Sequence, residues 1–164
     1  MRHLKLMEFF KRYLLFFFII FFFTSTTLST EVVKVVDGDT IHIGKTKYRL
    51  FGIDAPELSQ QCKKDNKTIL CGVDAKKMLE NKIGKQTPKC ISQTKDKYNR
   101  VVAECFIQSE SLSSYMVRSG YAVAYRKYSS KFVEDEKYAK KNKFGIWSTT
   151  FELPWNFRQK KLPS

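Results

Sequence analysis

Residues 32–43 read VVKVVDGDTIHI, and this stretch decides the fold expected for the chain. Its first half is rich in β-branched residues and its second half alternates apolar and polar side chains, so each half predicts a strand. The Asp37-Gly38 pair between the two halves is a strong hairpin signal, because both residue types tolerate a tight turn. Two antiparallel strands joined by a short turn are therefore predicted here.

A third strand is predicted over residues 47–53, which read KYRLFGI. Pro56 follows soon after and disfavours a helical conformation at Ala55, so an extended segment is expected to begin there. The next stretch, residues 57–70, is polar and contains several lysines. We interpret it as a loop.

Beyond this loop, apolar spacing predicts three helices and two more strands. A glycine that can end the helix follows each helical pattern. Five strands and three helices in this order suggest a small closed barrel with helices packed on it. The predicted elements are a helix ending before Gly84, strands near 86–94 and 100–107, a short helix ending before Gly120, and a longer helix capped by Ser129 or Ser130 and ended by Gly145.

Two acidic side chains lie at the ends of two different predicted strands and could hold a metal ion. Asp39 and Asp54 offer the hard oxygen ligands that calcium prefers, and the backbone carbonyl of Ala55 is a third candidate. Glu57 lies three residues beyond Asp54 and can face the same cavity without coordinating the same ion, so it is the candidate general base. Taken alone, Asp37 to Asp39 would be interpreted as an ordinary hairpin turn.

Two arginines complete this set of charged residues. Arg49 lies on the third predicted strand, and Arg100 closes the run DKYNR at 96–100. A guanidinium group can donate two hydrogen bonds to two phosphate oxygens and keeps its charge at any ordinary pH. Carboxylates for a hard cation, a spare carboxylate for proton transfer and two arginines for phosphate together indicate a metal-assisted phosphodiesterase.

Residues 31–157 resemble the thermonuclease (staphylococcal nuclease-like) family in the order and spacing of their motifs. The matching blocks are DGDT at 37–40, YRLFGIDAPE at 48–57, DKYNR at 96–100, YRKY at 125–128, GIW at 145–147 and LPW at 153–155. The resemblance implies an α+β fold, a five-stranded OB-fold β-barrel with about three packed helices, which binds oligonucleotides across one face. The expected domain covers residues 30–164, with the C-terminal tail docked on the barrel.

The resemblance also implies an activity and a set of site residues. It implies a monomeric nuclease that uses one calcium ion to cleave DNA and RNA with low sequence specificity. Arg49 and Arg100 would stabilise the pentacovalent phosphorus, and substrate contacts are expected from Lys97, Tyr98 and Tyr125. The family pattern usually has glycine at the position of Asn99 and a second tyrosine at the position of Lys127. Asparagine tolerates a positive φ, so the turn before Arg100 is expected to form.

A different class of function remains open from the sequence. An OB-fold domain could bind nucleic acid without cleaving it. Domains of that kind typically lack the acidic and arginine set, whereas the five residues Asp39, Arg49, Asp54, Glu57 and Arg100 are all present here. We therefore expect an enzyme and keep the non-catalytic binding module as the alternative.

The N-terminus has the pattern of a secretory signal peptide at residues 1–29. Basic residues precede an apolar run at 13–23, which is too short to span a bilayer as a helix, and small polar residues follow. Cleavage would direct the protein outside the cell or to the periplasm or cell envelope, and an uncleaved signal would act as an anchor. The whole chain carries a net charge of +14. Residues 1–29 hold four of the 30 basic and one of the 16 acidic residues, so the remainder carries +11, a charge that attracts nucleic acid.

Four cysteines lie in the expected mature chain, and an even number in an exported protein favours disulfides. Cys90 and Cys105 are equally distant from a turn between Lys97 and Tyr98, so antiparallel strands would place them opposite each other. Cys62 and Cys71 then pair by elimination. A zinc site is the competing interpretation, but the chain has no Cys-x-x-Cys and no suitably spaced histidine.

Overall fold

The computed structural model describes residues 31–161, and the predicted signal peptide lies outside this range. The described residues form ten strands, four α-helices and one 3-10 helix. The strands are β1 (Val33–Val35), β2 (Thr40–Ile43), β3 (Thr46–Leu50), β4 (Ile53–Asp54), β5 (Cys62–Lys64), β6 (Lys67–Ile69), β7 (Lys89–Lys95), β8 (Val101–Ile107), β9 (Glu110–Ser111) and β10 (Val123–Ala124). The helices are α1 (Cys71–Ile83), α2 (Leu112–Arg118), α3 (Val133–Lys141) and α4 (Pro154–Lys161), with the 3-10 helix at Gly145–Ser148.

Six strands form one mixed sheet. The order is β1-β2-β3-β8-β7, and β9 also pairs with β8. Neighbours are antiparallel except β3 and β8, which are parallel. Strands β4 and β10 form one two-stranded ribbon, and β5 and β6 form another.

This architecture confirms the expected α+β class and is consistent with an OB-fold. It differs from the expectation in detail. Within residues 31–161, the pairings of the main sheet follow an open path of five strands with β9 paired to β8 off that path, and four α-helices are present instead of about three. The additional helix is α4, which forms from the tail that was expected to dock.

The main core lies between the sheet and helices α1 and α2. Helix α1 packs against β1 and α2, while α2 also packs against β8, β9 and α3. Burial of these side chains removes apolar surface from water, which is the dominant favourable term in folding. Fully buried members include Ile41, Leu50, Ile53, Leu79, Leu112, Met116 and Phe132.

A sharp turn at Gly52 separates β3 from β4. Gly52 has a φ of +73°, and a Cβ atom at this position would lie 2.9 Å from the ring of Phe132. Glycine has no Cβ, so it alone adopts this positive φ and allows this close approach of the Phe132 ring at low cost. The turn brings two strands that carry site residues close to each other.

The segment after Glu57 is more ordered than the sequence predicted. Residues 57–70 were interpreted as a loop, but they contain the antiparallel hairpin β5–β6. Asp65 and Asn66 form its two-residue turn, and both have positive φ values, 47° and 62°. Asp and Asn tolerate this conformation better than other non-glycine residues. The polar, lysine-rich strands lack an apolar alternation that would have indicated them.

Both predicted disulfides are confirmed. Cys90 and Cys105 are directly opposite on β7 and β8, with Cα atoms 4.0 Å apart. Cys62 and Cys71 join the start of β5 to the start of α1, with Cα atoms 5.8 Å apart. No described cysteine is left as a free thiol.

Helix α3 begins later than the sequence predicted. Ser129 or Ser130 was expected to cap it, but the residue before its first turn is Phe132, which makes no side-chain cap. The hydroxyl of Ser129 accepts a hydrogen bond from the backbone N–H of Lys131 at 3.1 Å instead. Serine stabilises the preceding turn here because its side chain bonds two residues ahead.

The tail packs onto a second, smaller apolar cluster. This cluster contains the buried disulfide Cys62–Cys71 together with Val123 and Ile146, and tail residues pack against it. Trp155, near the start of α4, stacks on Tyr125 with ring centroids 5.3 Å apart and planes within 5° of parallel. Within residues 31–161, no helix combines the length and apolar character needed to cross a membrane.

Candidate active site

Strand register brings three predicted site residues, Asp39, Arg49 and Arg100, to one region of the main sheet. Thr40, the neighbour of Asp39, pairs with Arg49 across β2 and β3. Arg49 in turn pairs with Val102 on β8, whose first residue directly follows Arg100. Arg49 lies near the C-terminal end of β3, and Arg100 directly precedes the N-terminal end of β8. The two strands are parallel and staggered, with Tyr48 opposite Val101, so the two arginines come close together. Asp54 is held separately by the pairing of β4 with β10.

The two acidic residues that were predicted to bind metal are joined by Arg49. Arg49 Nη2 donates to Asp54 Oδ1 at 2.7 Å, and Arg49 Nη1 forms an ion pair with Asp39 Oδ2. All three side chains are largely buried. Burial lowers the pKa of Arg49, whereas the charge of Asp54 opposes that effect. One guanidinium group therefore bridges both carboxylates, which places them close together.

Further hydrogen bonds fix Asp39 in this position. Its Oδ2 accepts from the backbone N–H of Ala55 at 2.7 Å, and its Oδ1 accepts from the hydroxyl of Thr40 at 3.2 Å. Its own backbone N–H donates to Asp37 Oδ1 at 3.0 Å. Burial raises the pKa of Asp37, and the nearby charge of Arg49 opposes this rise. Asp37 thus supports the loop that presents Asp39.

Arg100 is aimed by the turn that precedes it. Asp96 accepts hydrogen bonds from the backbone N–H of Tyr98 at 2.9 Å, and from the backbone N–H and Nε of Arg100 at 3.0 and 2.7 Å. Burial raises the pKa of Asp96, but these hydrogen bonds outweigh it and give a net lowering. Asn99 has a φ of 60°, so asparagine does form the turn that usually contains glycine. Arg100 Nη1 then donates to the Thr40 hydroxyl at 3.3 Å.

The backbone of Glu57 is closely packed against the start of helix α1. Gly72 in the first turn of α1 lies against it, and a Cβ on Gly72 would be 1.8 Å from the Glu57 carbonyl oxygen. The Glu57 backbone N–H donates to the side chain of buried Gln60 at 3.3 Å. Only glycine fits this approach of helix to loop. Glu57 is therefore carried on a backbone with little freedom to move.

Arg158 of helix α4 contacts both Asp54 and Glu57. Its Nη1 donates to Asp54 Oδ1 at 3.0 Å and to Glu57 Oε1 at 2.8 Å, and its Nη2 donates to Asp54 Oδ2 at 2.8 Å. Burial lowers the pKa of Arg158, but the hydrogen bonds to the two carboxylates outweigh it and raise that pKa above its ordinary value. No motif in the sequence had indicated this arginine as a site residue.

The three residues expected to contact substrate lie in two places. Lys97 and Tyr98 are in the turn before Arg100, where both the Lys97 ammonium and the Arg100 guanidinium lie over the Tyr98 ring, at 5.1 and 5.4 Å from its centroid. Tyr98 is 67% exposed and can receive a base. Tyr125 is half-buried, with Trp155 stacked on it and Tyr128 against its edge at 4.8 Å.

The donor set suits a hard cation that keeps several water or substrate ligands. Asp39 and Asp54 are buried, close together and bridged by the guanidinium group of Arg49. The space between the two carboxylates therefore favours a positive charge. Within residues 31–161, no three or more His, Cys, Asp or Glu side chains are grouped so that they could hold a metal ion alone. Two carboxylates and one carbonyl would leave coordination positions open, as a catalytic site requires.

Three residues that shape the site, Arg158, Gln60 and Asp96, were not assigned to it from the sequence. Arg158 is 104 residues from Asp54, and the dense aromatic residues around it indicated only that the tail would dock. Gln60 is fully buried and donates to the Glu152 carbonyl at 2.6 Å, so it links the Glu57 loop to the tail. Asp96 could have been recognised, because Asp at the start of a tight turn commonly accepts backbone hydrogen bonds.

Comparison with known proteins agrees with this geometry. Endonuclease YhcR of Bacillus subtilis is 32% identical over an alignment of 151 residues, which covers 79% of this chain and 12% of that protein. An uncharacterized endonuclease of Haemophilus influenzae is 31% identical over 124 residues, covering 71% of this chain and 65% of that protein. Micrococcal nuclease of Shigella flexneri is 29% identical over 147 residues, and the alignment covers 79% of this chain and 79% of that protein.

The chain thus spans less than two thirds of the first two relatives and most of the third. The sequence profile of one family, described as Staphylococcal nuclease homologue, matches residues 47–149. That match covers more than half of the chain and includes Arg49, Asp54, Glu57 and Arg100. The chain belongs to the Staphylococcal nuclease homologue family.

Proposed function

We propose that the protein is an exported, calcium-dependent nuclease that hydrolyses phosphodiester bonds of DNA and RNA with low sequence specificity. One observation carries the proposal. A continuous series of polar contacts runs from Arg100 through Thr40, Asp39 and Arg49 to Asp54. Through Arg158, the same series continues to Glu57. The names of the three relatives, two endonucleases and a micrococcal nuclease, support the same activity.

Phosphate recognition is assigned to Arg49 and Arg100. Arg49 is buried, and within residues 31–161 its Nη1 hydrogens meet no acceptor in hydrogen-bond geometry, although that atom forms an ion pair with Asp39. Arg100 is held at its Nε by Asp96, so its far end points to Thr40 beside Asp39. Two rigidly held guanidinium groups can stabilise charge as it grows on the phosphate oxygens during attack.

Proton transfer is assigned to Glu57. In the reaction we propose, a water oxygen forms a bond to phosphorus while the bond from phosphorus to the leaving nucleoside oxygen breaks. Glu57 accepts the proton that the water loses, and the leaving oxygen takes a proton from solvent. Support comes from the location of Glu57, which shares a partner with Asp54 yet does not contact Asp39. Glu57 therefore lies near the two candidate metal ligands, Asp39 and Asp54, and its carboxylate is left for proton transfer.

Asp39 and Asp54 would hold the calcium ion, with the carbonyl of Ala55 as a further ligand. When bound, the ion would supply positive charge next to the phosphate under attack. The two carboxylates keep their orientation through the Ala55 N–H, the Thr40 hydroxyl and Arg49. These contacts come from the protein itself, so they can organise the site before any ligand arrives.

Low sequence specificity follows from the groups available for binding. The assigned arginines and Lys97 contact phosphate, which is the same at every position of a nucleic acid. Tyr98 and Tyr125 are assigned to stacking, which accepts any base. Attack by water does not require a ribose 2′-hydroxyl, so DNA and RNA can both be cleaved. The net charge of +11 outside residues 1–29 would attract either polymer.

Export is supported by two features of the chain. Two disulfides are typical of an oxidising compartment outside the cytosol. The apolar run at 13–23 has the signature of a signal peptide. We therefore assign the protein to the extracellular space, the periplasm or the cell envelope, and we expect it to act as a monomer.

Digestion assays test the proposed activity directly. The purified protein should be incubated with single-stranded DNA, duplex DNA and RNA, in the presence of calcium or of excess chelator. We expect cleavage of all three with calcium, none with chelator, and recovery on adding calcium but not zinc. Full activity in chelator would contradict the metal assignment. Salt-sensitive binding of all three polymers without cleavage in calcium would instead favour the non-catalytic binding module.

A further inference from the structure

Arg158 occupies groups that the proposed reaction needs. It donates to both oxygens of Asp54, at 3.0 and 2.8 Å, and to Glu57 Oε1 at 2.8 Å. Asp54 Oδ1 also accepts from Arg49 Nη2 at 2.7 Å. A cation that coordinates Asp54 must therefore compete with a guanidinium group that is hydrogen-bonded to both carboxylate oxygens. A water that gives its proton to Glu57 meets the same obstacle at Oε1.

The position of Arg158 is built into the fold. Pro154 begins helix α4 and is buried, and Trp155 stacks on Tyr125. Just before the helix, the carbonyl of Glu152 accepts from the buried side chain of Gln60. The helix is thus anchored at its N-terminal end, and Arg158 reaches the site from its second turn.

The side chain of Arg158 can nevertheless leave the carboxylates. It is 38% exposed, whereas Asp54 is fully buried. Its neighbour in the site is Arg49, since both arginines donate to the same oxygen of Asp54. A phosphate bound by Arg49 would therefore lie beside Arg158. A guanidinium released from a carboxylate has the right shape and charge for such a phosphate.

We propose that Arg158 is a further substrate-binding residue that exchanges partners. It neutralises Asp54 and Glu57 in the metal-free protein, and it moves to a phosphate of the nucleic acid when Asp54 is occupied by calcium. This inference rests on the proposed function, because it assumes that calcium binds at Asp54. It assigns helix α4 to the active site, beyond the residues that the sequence motifs indicated.

Two binding measurements on one variant test the exchange. Calcium binding is measured by isothermal titration calorimetry on the full chain and on Arg158→Gln. Removing the competing guanidinium should tighten calcium binding by about fivefold or more, the gain expected when a partly exposed ion pair with a buried carboxylate is lost. In saturating calcium, a nucleoside 3′,5′-bisphosphate, which has phosphates but no diester bond, should bind Arg158→Gln at least about fivefold more weakly.

Lys160→Gln is the matched control. Lys160 lies on the same helix, is 75% exposed and pairs with Glu152, so this change removes one positive charge without touching the site. Both affinities of the control should stay within about twofold of the unmodified protein, as expected for a surface ion pair. Arg158→Lys keeps the positive charge but loses the planar group that can donate two hydrogen bonds to a phosphate. Its bisphosphate affinity should therefore fall between those of the unmodified protein and Arg158→Gln. Thermal melting should confirm that each variant is folded.

The outcomes separate this inference from the proposed function. An unmodified protein that binds no calcium would contradict the metal assignment on which the inference rests. An unmodified protein that binds calcium, with an Arg158→Gln variant of equal calcium affinity, would overturn the exchange alone. Tighter calcium binding without weaker bisphosphate binding would also overturn it, because Arg158 would then compete with the metal without contacting substrate.

Discussion

Arg100 is held by Asp96 at two points, through its backbone N–H at 3.0 Å and its Nε at 2.7 Å. The same carboxylate also accepts from the backbone N–H of Tyr98. One aspartate therefore both closes the turn and aims the arginine. This leaves the far end of the Arg100 guanidinium directed at the Thr40 hydroxyl.

Asp96→Asn should weaken catalysis without removing any residue assigned to metal or proton transfer. The amide has one acceptor oxygen and no charge, so Arg100 would be held less firmly, and misplacement of a phosphate-binding group can cost about 10- to 100-fold in rate. We expect a loss of that size in kcat/KM on DNA, with calcium affinity unchanged. Asp65→Asn, which removes the same charge from the turn of the exposed β5–β6 hairpin, is the control. A kcat/KM within twofold of the unmodified protein would show that Asp96 does not position Arg100.

Gly72→Ala distinguishes packing from helix propensity. On propensity alone, alanine in a helix should stabilise the protein by up to about 1 kcal/mol relative to glycine. Here the new Cβ would lie 1.8 Å from the Glu57 carbonyl oxygen, so the backbone must shift. Overpacking of this kind costs about 1–3 kcal/mol, and we expect a net loss of stability in urea denaturation together with reduced activity. Lys77→Ala on an exposed face of the same helix is the control. Equal or greater stability of Gly72→Ala would refute the close approach.

Glu136 should make the free energy of unfolding depend on pH under acidic conditions. This buried side chain accepts from Arg126 Nη2 at 2.6 Å, Lys140 Nζ at 2.9 Å and the Ala124 N–H at 3.0 Å. Burial raises its pKa, but these bonds outweigh that effect, so the folded pKa lies below the reference value of 4.5. Because the folded pKa is lowered, the unfolded chain binds the proton more readily. The stabilisation is full above about pH 4.5 and is lost as the pH falls through the folded pKa.

Glu136→Gln tests this contribution. At pH 7 the variant should lose about 1.5–3 kcal/mol of unfolding free energy, the usual range for hydrogen bonds to a charged group. The difference from the unmodified protein should shrink as the pH is lowered below about 4.5. Urea denaturation across this pH range measures it, with Glu134→Gln on the same helix, 81% exposed, as the control. A difference that stays constant with pH would contradict the assignment of the lowered pKa to Glu136.

Local sequence signals predicted much of the sheet and the disulfides. Strands β1 to β3 follow from β-branched residues and alternation, since these patterns depend on neighbours two residues apart. The pairing of Cys90 with Cys105 followed from the symmetry of the turn between their strands, and the structure confirms it. Helix α1 ends at Ile83, next to the predicted stop at Gly84, because a glycine with positive φ ends helices effectively.

Other features depended on contacts far apart in sequence. The β5–β6 hairpin has almost no apolar face, so its stability depends on a disulfide and on a bridge between Lys63 and Thr150. Strands β4 and β10 have two residues each and pair Asp54 with Val123. Neither segment is long enough to show a strand pattern in the sequence. Arg158 reaches the site because the tail docks through Trp155 and Gln60, and no short motif encodes that approach.

Proton transfer is assigned to Glu57 and binding to other residues, so a change at Glu57 should affect the rate of cleavage and not binding. Glu57→Gln preserves the size of the side chain and removes its capacity to accept a proton. Calcium and nucleic acid should still bind, because those contacts are assigned to Asp39, Asp54 and the arginines. Circular dichroism and calcium titration should accompany the kinetics to show that the variant is folded and loaded. Glu80→Gln, on the exposed side of α1, is the charge-matched control.

The most direct measurement is the rate of DNA cleavage by Glu57→Gln in a single turnover, with saturating calcium and excess enzyme. The proposed mechanism predicts a rate about 10²- to 10⁴-fold below that of the unmodified protein, the usual contribution of a general base. Glu80→Gln should cleave at the unmodified rate. A folded, calcium-loaded Glu57→Gln protein that cleaves within about threefold of the unmodified rate, far inside the expected loss, would contradict the proposed mechanism.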